Sequence, residues 1–234
     1  MKTLAIVPAR AGSKRLPGKN LRPLHGKPLI GWTLEAALQA GGIDRVIVST
    51  DSEEIAEVSR RSGADVPFLR PPELAGDTTT TQDVVEHAIY TLAGQGERYE
   101  RIVLLQPTSP LRTARHIEDA LRLFERKRAL SVISVSPAEH PPQWINRLGP
   151  DGEMDHFLDA VHKSRRSQDF ADYYQLNGAI YIADTQALLH HHSFYLDERC
   201  YGYVMSRRDG IDIDTEIDWY VAEALIGGME NGAA

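Results

Sequence analysis

Two stretches of this chain gather the residue types that handle phosphate. The first, PARAGSKRLPGKN (8–20), threads Arg10, Lys14, Arg15 and Lys19 among Gly12, Gly18, Pro8 and Pro17. The second, IDIDTEID (211–218), alternates Ile211 and Ile213 with Asp212 and Asp214. Four cations on one loop suit a chain of phosphates, because one of them must also meet the charge that develops when a phosphoanhydride breaks. Gly12 and Gly18 permit positive φ and close backbone approach, and amides at such a turn can form an anion-binding nest. The loop departs from the P-loop pattern G-x-x-x-x-G-K-[ST]. Five residues separate Gly12 from Gly18, and Asn20 follows Lys19 where that pattern has a hydroxyl. A solvated basic face explains the charge but not the glycines.

In an extended segment alternate side chains share a face. Ile211 and Ile213 then face the core, while Asp212 and Asp214 project together. Such a pair suits Mg²⁺ (or Mn²⁺), since Mg²⁺ typically takes one or two carboxylates plus substrate phosphates. Thr215 with Asp218 reads as a capping box for a last helix. A cap could claim all these acids, yet Thr215 and Asp218 suffice for it.

The elements that must position these residues follow a βα rhythm. Apolar runs at 4–7, 45–49, 101–105 and 130–135 read as strands. Helices are expected over 28–40, over 51–62 (capped by Asp51 with Glu54 in the capping-box place), from Thr80 or Thr81 over 83–92, and over 113–127. Continuous apolar strands covered on both faces, joined by right-handed crossovers, imply an α/β fold with a mostly parallel sheet. The basic loop directly follows the first strand, and ligands of open α/β sheets sit at the carboxyl ends of the strands.

The rhythm breaks over 137–174, a proline-punctuated stretch too long for a plain loop. It reads as an insert, either a small antiparallel element or a dimerisation arm. The main domain is then 1–136 with 175–230. Within the second part, a strand over 178–183, a helix near 185–191, a strand over 201–205 and a helix from 216 precede a frayed tail at 231–234.

Composition narrows the function classes. A net charge of -7 argues against a general nucleic-acid binder, and residues 1–34 hold no Asp or Glu. No apolar run approaches the roughly 20 residues of a membrane span, and 4–7 is too short for a signal-peptide core. The lone Cys200 excludes a disulfide framework. A cytoplasmic enzyme or binding protein is the default expectation.

The stretch PARAGSKRLPGKNLRPLHGKPLI resembles the opening signature of the acylneuraminate cytidylyltransferases, which activate nine-carbon acidic sugars. The resemblance continues in order through VIVSTDSEEIAE, FLRPPELAGDTTTT, LLQPTSPLR, LNGAIYIA and GIDIDTEID. It implies a three-layer, Rossmann-like nucleotidyltransferase fold with a small dimerisation insert, and a homodimer. It implies a reaction of CTP with a nonulosonic acid to give a CMP-sugar and pyrophosphate. Carried onto this chain, Arg10, Arg15, Lys19 and Gln106 are the catalytic candidates. CTP is assigned Ala9, Ala11, Gly12, Ser13, Lys14, Asn20, Arg70, Thr79, Thr80 and Thr81. The sugar is assigned Gln106, Arg166, Asn177 and Tyr181, and the metal Asp212 and Asp214. Trp144 and Gln175 stand where sialic acid synthetases carry a lysine and an arginine, which leaves room for a relative such as legionaminic acid. Two alternatives stay open: a Kdo cytidylyltransferase, and a non-catalytic nucleotide sensor of the same fold.

In LLQPTSPLR the residues Gln106, Thr108, Ser109 and Arg112 can face a ligand from the strand edge, or simply form a turn and helix start. The triplet His190–His192 reads as a solvent-exposed helix end rather than a metal site. His140 has no derivable role, and Cys200 reads as a strand residue rather than a nucleophile.

Overall fold

The computed structural model describes residues 1–232. β1 (Thr3–Pro8) is followed by the basic loop and a two-stranded hairpin, β2 (Pro23–Leu24) and β3 (Lys27–Pro28), which the sequence did not announce. Then come α1 (Leu29–Gln39), β4 (Arg45–Ser49), α2 (Glu53–Arg61), α3 (Thr81–Gly94), β5 (Arg101–Leu104), α4 (Ala114–Lys127) and β6 (Ser131–Pro137). β7 (Tyr174–Asp184), α5 (Thr185–His191), β8 (Cys200–Val204) and α6 (Glu216–Gly232) complete the chain. Six strands form one sheet in the order β4-β1-β5-β7-β6-β8. β1 pairs in parallel with β4 and β5, and β6 with β8; β7 runs antiparallel between β5 and β6.

Strand alternation assigns the two faces. Ala5 and Val7 join Ile30, Leu34, Ile55, Ile117, Leu121 and Phe124, so α1, α2 and α4 cover one side. Leu4 and Ile6 join Val85, Ala88, Leu92 and Leu188, so α3 and α5 cover the other. This is the three-layer arrangement, and strands buried on both faces need its two helical layers. A third apolar cluster lies away from the sheet: Leu16 from the basic loop, Leu24, Leu29, Leu111, Ile213 and three residues of α6, Trp219, Ala222 and Ile226. It ties loop, hairpin and acidic segment together from beneath.

Several local expectations shift. The cap of α2 is Ser52, whose hydroxyl accepts from the Ile55 amide at 3.3 Å; Asp51 instead accepts from the amide of Ala11 at 2.9 Å. Thr80 caps α3 and Thr113 caps α4, each in a capping box. Gly18 has φ +67, whereas Gly12 is not among the positive-φ glycines. β7 starts at Tyr174 rather than 178, because pairing with β6 continues out to Pro137↔Tyr174. The helix α6 runs through 231 and 232, where fraying was expected. Residues 233 and 234 lie outside the described residues.

Between β6 and β7 the chain forms single 3₁₀ turns at Pro142–Trp144, Ala160–His162 and Ser167–Asp169, and no antiparallel element of its own. A small ring cluster organises it: Trp144 and Phe170 lie 5.8 Å apart edge-on, and His162 and Phe170 5.4 Å apart.

Candidate active site

The carboxyl ends of β1, β4 and β5 open onto a cleft of about 350 Å³. Ten of the sequence-derived residues line it: Arg10, Lys19, Asn20, Arg70, Thr79, Thr80, Thr81, Gln106, Asp212 and Asp214. They come from five separate stretches that only the fold brings together.

The basic loop is held at its base. Buried Asn20 donates from its side-chain amide to the carbonyl of Arg10 at 2.9 Å. Ala9 is buried and its amide donates to Ser49 at 3.0 Å, so its role is to anchor the loop on the sheet. Leu16 sits in the third apolar cluster. Gly12, Ser13, Lys14 and Arg15 lie on the outer part of the loop, partly or fully exposed. The four cations are paired with two aspartates. Arg10 and Lys14 meet Asp77 at 3.2 and 2.7 Å. Arg15 and Lys19 meet Asp214 at 2.8 and 3.3 Å, and Lys19 also donates to the Ile213 carbonyl at 3.0 Å.

The acidic segment is not a strand, yet it alternates as expected. Ile213 is fully buried, Asp212 and Asp214 both reach the cleft, and Asp218 caps α6 by accepting from the Thr215 amide at 2.7 Å. Ile213 is pinned by its amide to the Thr108 carbonyl at 2.8 Å. Burial pushes the Asp212 carboxyl above its ordinary range; the Thr108 hydroxyl opposes this and the Asp214 charge adds to it. Its Oδ1 atom is buried with no hydrogen-bond partner among the described residues. An unpaired buried oxyanion beside a second carboxylate fits a divalent cation. No cluster of three His, Cys, Asp or Glu suited to a metal occurs among the described residues, so phosphates would have to supply further ligands.

The LLQPTSPLR turn divides in two. Gln106 and Thr108 face the cleft, whereas Ser109 and Arg112 are buried. The Arg112 guanidinium donates to the carbonyls of Gln106 at 3.0 Å and Ala179 at 2.8 Å, and to the Thr33 hydroxyl. Burial lowers its pKa to about 9, which leaves it cationic at neutral pH. Arg112 thus fixes the backbone of Gln106 instead of touching a ligand. A register shift in the β6/β7 ladder lies opposite 177–178, and a β-bulge of this kind re-aims the backbone. Gly178 there has φ +74, and a Cβ on it would sit 2.7 Å from Gln106 Oε1.

Two sugar candidates do not line the cleft of this chain. Asn177 is buried and spent on the β6/β7 irregularity: it accepts from Ser134 at 2.6 Å and donates to Ser136 at 3.0 Å. Arg166 is exposed on the 137–174 segment, where it pairs with Asp169 at 3.4 Å, and it does not line the cleft. Tyr181, by contrast, lines a second cavity of about 250 Å³ that shares Gln106 and Thr81 with the first. Burial, helped by a hydrogen bond with Tyr195, raises the Tyr181 phenol well above its usual range. Phe194 and Tyr195 complete that cavity with ring centroids 5.5 and 6.2 Å from Tyr181. Neither was foreseen; they lie just beyond the histidine triplet, after Ser193, and carry no motif. Arg70 is buried and donates to the hydroxyl and carbonyl of Ser49, and burial lowers its pKa.

Fold and cleft together define a nucleotidyltransferase: a mixed α/β sheet with a cationic loop and a carboxylate pair meeting at one cleft. Two solved structures share the fold, a CMP:2-keto-3-deoxy-manno-octonic acid synthetase complexed with CTP (TM-score 0.72, 20% identity, covering 98% of this chain and 100% of that one) and the Anaerococcus prevotii 4-diphosphocytidyl-2C-methyl-D-erythritol synthase (TM-score 0.66, 15% identity, covering 97% and 96%). The cytidylyltransferase family model matches residues 4–220. The chain belongs to the cytidylyltransferase family.

Among its relatives, the Legionella pneumophila CMP-N,N'-diacetyllegionaminic acid synthase is 40% identical over 97% of both chains. The Escherichia coli N-acylneuraminate cytidylyltransferase is 38% identical over 94% of this chain, which spans 51% of that relative's length. The Campylobacter jejuni pseudaminic acid cytidylyltransferase is 35% identical over 96% of both. Among the described residues, no helix is long and apolar enough to cross a membrane.

Proposed function

We propose that the chain joins CTP to a nonulosonic acid, giving a CMP-sugar and pyrophosphate. The observation that carries this is the pair of cavities meeting at Gln106, one lined by cations and carboxylates and the other by tyrosine and phenylalanine rings. The nucleotide occupies the first. Its base lies toward Arg70 and Thr79–Thr81, where short polar groups and backbone can read it, and its phosphates lie toward Arg10, Arg15 and Lys19. The sugar occupies the second against Tyr181, Phe194 and Tyr195, with Gln106 at the junction orienting the attacking hydroxyl. That hydroxyl forms a bond to the α-phosphorus in line and gives up its proton to solvent as the bond to the β-phosphate oxygen breaks, and pyrophosphate leaves with its charge met by the loop cations. Asp212 and Asp214 would hold a Mg²⁺ or Mn²⁺, which supplies neutralisation of phosphate charge when bound.

The relatives at 35–40% identity are named for nonulosonic acids. This favours that class over Kdo, and the 40% identity of the Legionella enzyme, against 38% and 35% for the neuraminic and pseudaminic relatives, favours legionaminic acid among its members. The 137–174 segment exposes Ile145, Leu148, Met154 and Val161, and Leu176 and Val204 are exposed on the neighbouring strands. Apolar surface of this extent supports pairing with a second copy, which would bring Arg166 to a sugar carboxylate.

The test is pyrophosphate release from CTP with Mg²⁺ across legionaminic, neuraminic and pseudaminic acids and Kdo, with the CMP-sugar identified by mass spectrometry. Release with at least one nonulosonic acid and little with Kdo is expected. No release with any sugar, alongside tight CTP binding, would instead favour the nucleotide sensor.

A further inference from the structure

A site built for phosphates carries an acid aimed at its own cations. Asp77 lies at the rim of the cleft opposite the basic loop, between the 3₁₀ turn Pro72–Leu74 and α3. Its Oδ1 meets Arg10 at 3.2 Å and its Oδ2 meets Lys14 at 2.7 Å. Arg10 also donates to the neighbouring Gly76 carbonyl at 3.3 Å, so the two rims are joined across the cleft mouth. The other aspartates nearby have evident duties. Asp51 holds the Ala11 amide, Asp83 completes the α3 cap, and Asp214 belongs to the carboxylate pair.

Asp77 has no such duty. Its segment is already folded by Thr79, whose hydroxyl donates to Glu73 at 3.2 Å and whose amide donates to Gly76 at 3.3 Å. Among the described residues the Asp77 carboxylate meets only the two loop cations. Lys14 and then Arg10 hold that carboxyl below its usual range, so it is ionised whenever the loop is free. Both pairs are substantially exposed, with side-chain accessibilities of 37% for Arg10, 77% for Lys14 and 51% for Asp77. Exposed pairs are weak and easily exchanged for a more highly charged partner.

We propose that Asp77 sets the cleft's affinity for phosphates: it is an internal carboxylate that competes with the ligand's phosphates for Arg10 and Lys14. The inference rests on reading the cleft as the CTP site. A polyphosphate displaces Asp77, and Asp77 takes back the two cations when pyrophosphate departs. The cleft therefore binds pyrophosphate less tightly than its four cations would allow, which keeps the product exchangeable.

The experiment is titration calorimetry of the full chain with CTP, pyrophosphate and cytidine at fixed ionic strength, comparing wild type, Asp77→Asn and Asp77→Ala. Glu57→Gln, on α2 and away from the cleft, controls for the change of one charge. Both Asp77 variants should bind CTP and pyrophosphate about three- to tenfold more tightly, with cytidine unchanged, as expected from removing a competitor of surface-pair strength. The inhibition constant of pyrophosphate should fall by the same factor. Wild-type binding of CTP with equal or weaker binding in both variants overturns the inference alone. Failure of the wild-type chain to bind CTP overturns the reading of the cleft and this inference with it.

Discussion

The cleft and the 137–174 segment answer to different physics. Around the cleft, the residues that set the geometry are buried and tied by hydrogen bonds: Asn20 on the Arg10 carbonyl, Arg70 on Ser49, Arg112 on two carbonyls and a hydroxyl. Two apolar clusters back the sheet and a third backs the loop. The 137–174 segment has three isolated 3₁₀ turns and a few stacked rings, and among the described residues Arg166 is bonded only within its own turn. One region is organised to hold groups still by itself. The other presents exposed apolar side chains and an exposed Arg166 on its surface. On the function proposed above, the nucleotide half of the chemistry is complete in one chain, while the sugar half would be finished by a second copy.

If so, substitutions in the cleft and in the segment should fail in different ways. The largest effect is expected from Asp212→Asn, which removes the buried oxyanion that fits a cation. Magnesium-dependent pyrophosphate release should fall by about 10³-fold or more with melting nearly unchanged. Asp214→Asn should act in the same direction. Activity with an unaltered magnesium requirement would return that residue to a purely structural role. Lys19→Ala should lower kcat by about 10²–10³, as losses of a group facing transition-state charge commonly do. A normal melting curve with retained turnover would show it to be merely solvated. Smaller still, Arg166→Ala should raise the KM for the sugar by about 10- to 100-fold, the scale of a lost charge-assisted pair, and leave CTP affinity alone. Equal damage to both substrates would erase the distinction between the regions.

Much of the cleft was legible in the sequence because its residues sit at fixed offsets from strand ends. A strand followed by Arg10–Asn20 or by Gln106 places each at the same edge of an α/β sheet, whatever the details of packing, whereas Arg70 follows α2 and came from the resemblance alone. The carboxylate pair was legible from alternation alone, even though 211–215 is not a strand. What escaped was set by contacts distant in sequence. Asp51 looked like a cap and instead braces Ala11, because Ser52 reaches the Ile55 amide first. Asn177 reads as a ligand residue in LNGAIYIA but is consumed by Ser134 and Ser136 at an irregularity no local pattern announces. Phe194 and Tyr195 join the site only because α5 returns the chain beside β7. The extra length of β7 was hidden because Tyr174 read as the end of the polar stretch and 175–177 lie ahead of the apolar run that marked the strand.

The most direct test of the two-region account is to mix chains. Asp212→Asn spoils the cleft and leaves the segment intact, and Arg166→Ala does the reverse, so each variant alone should be poorly active at limiting sugar. Reassociated in equal amounts, half of the dimers would be hybrids, each with one site made of a sound cleft and a sound segment. Pyrophosphate release should then recover to about a quarter of the wild-type rate, as expected for random pairing in a twofold dimer. If differently tagged variants co-purify as hybrids and the rate stays at the average of the two variants alone, the sugar site does not draw on its partner, and the account is wrong.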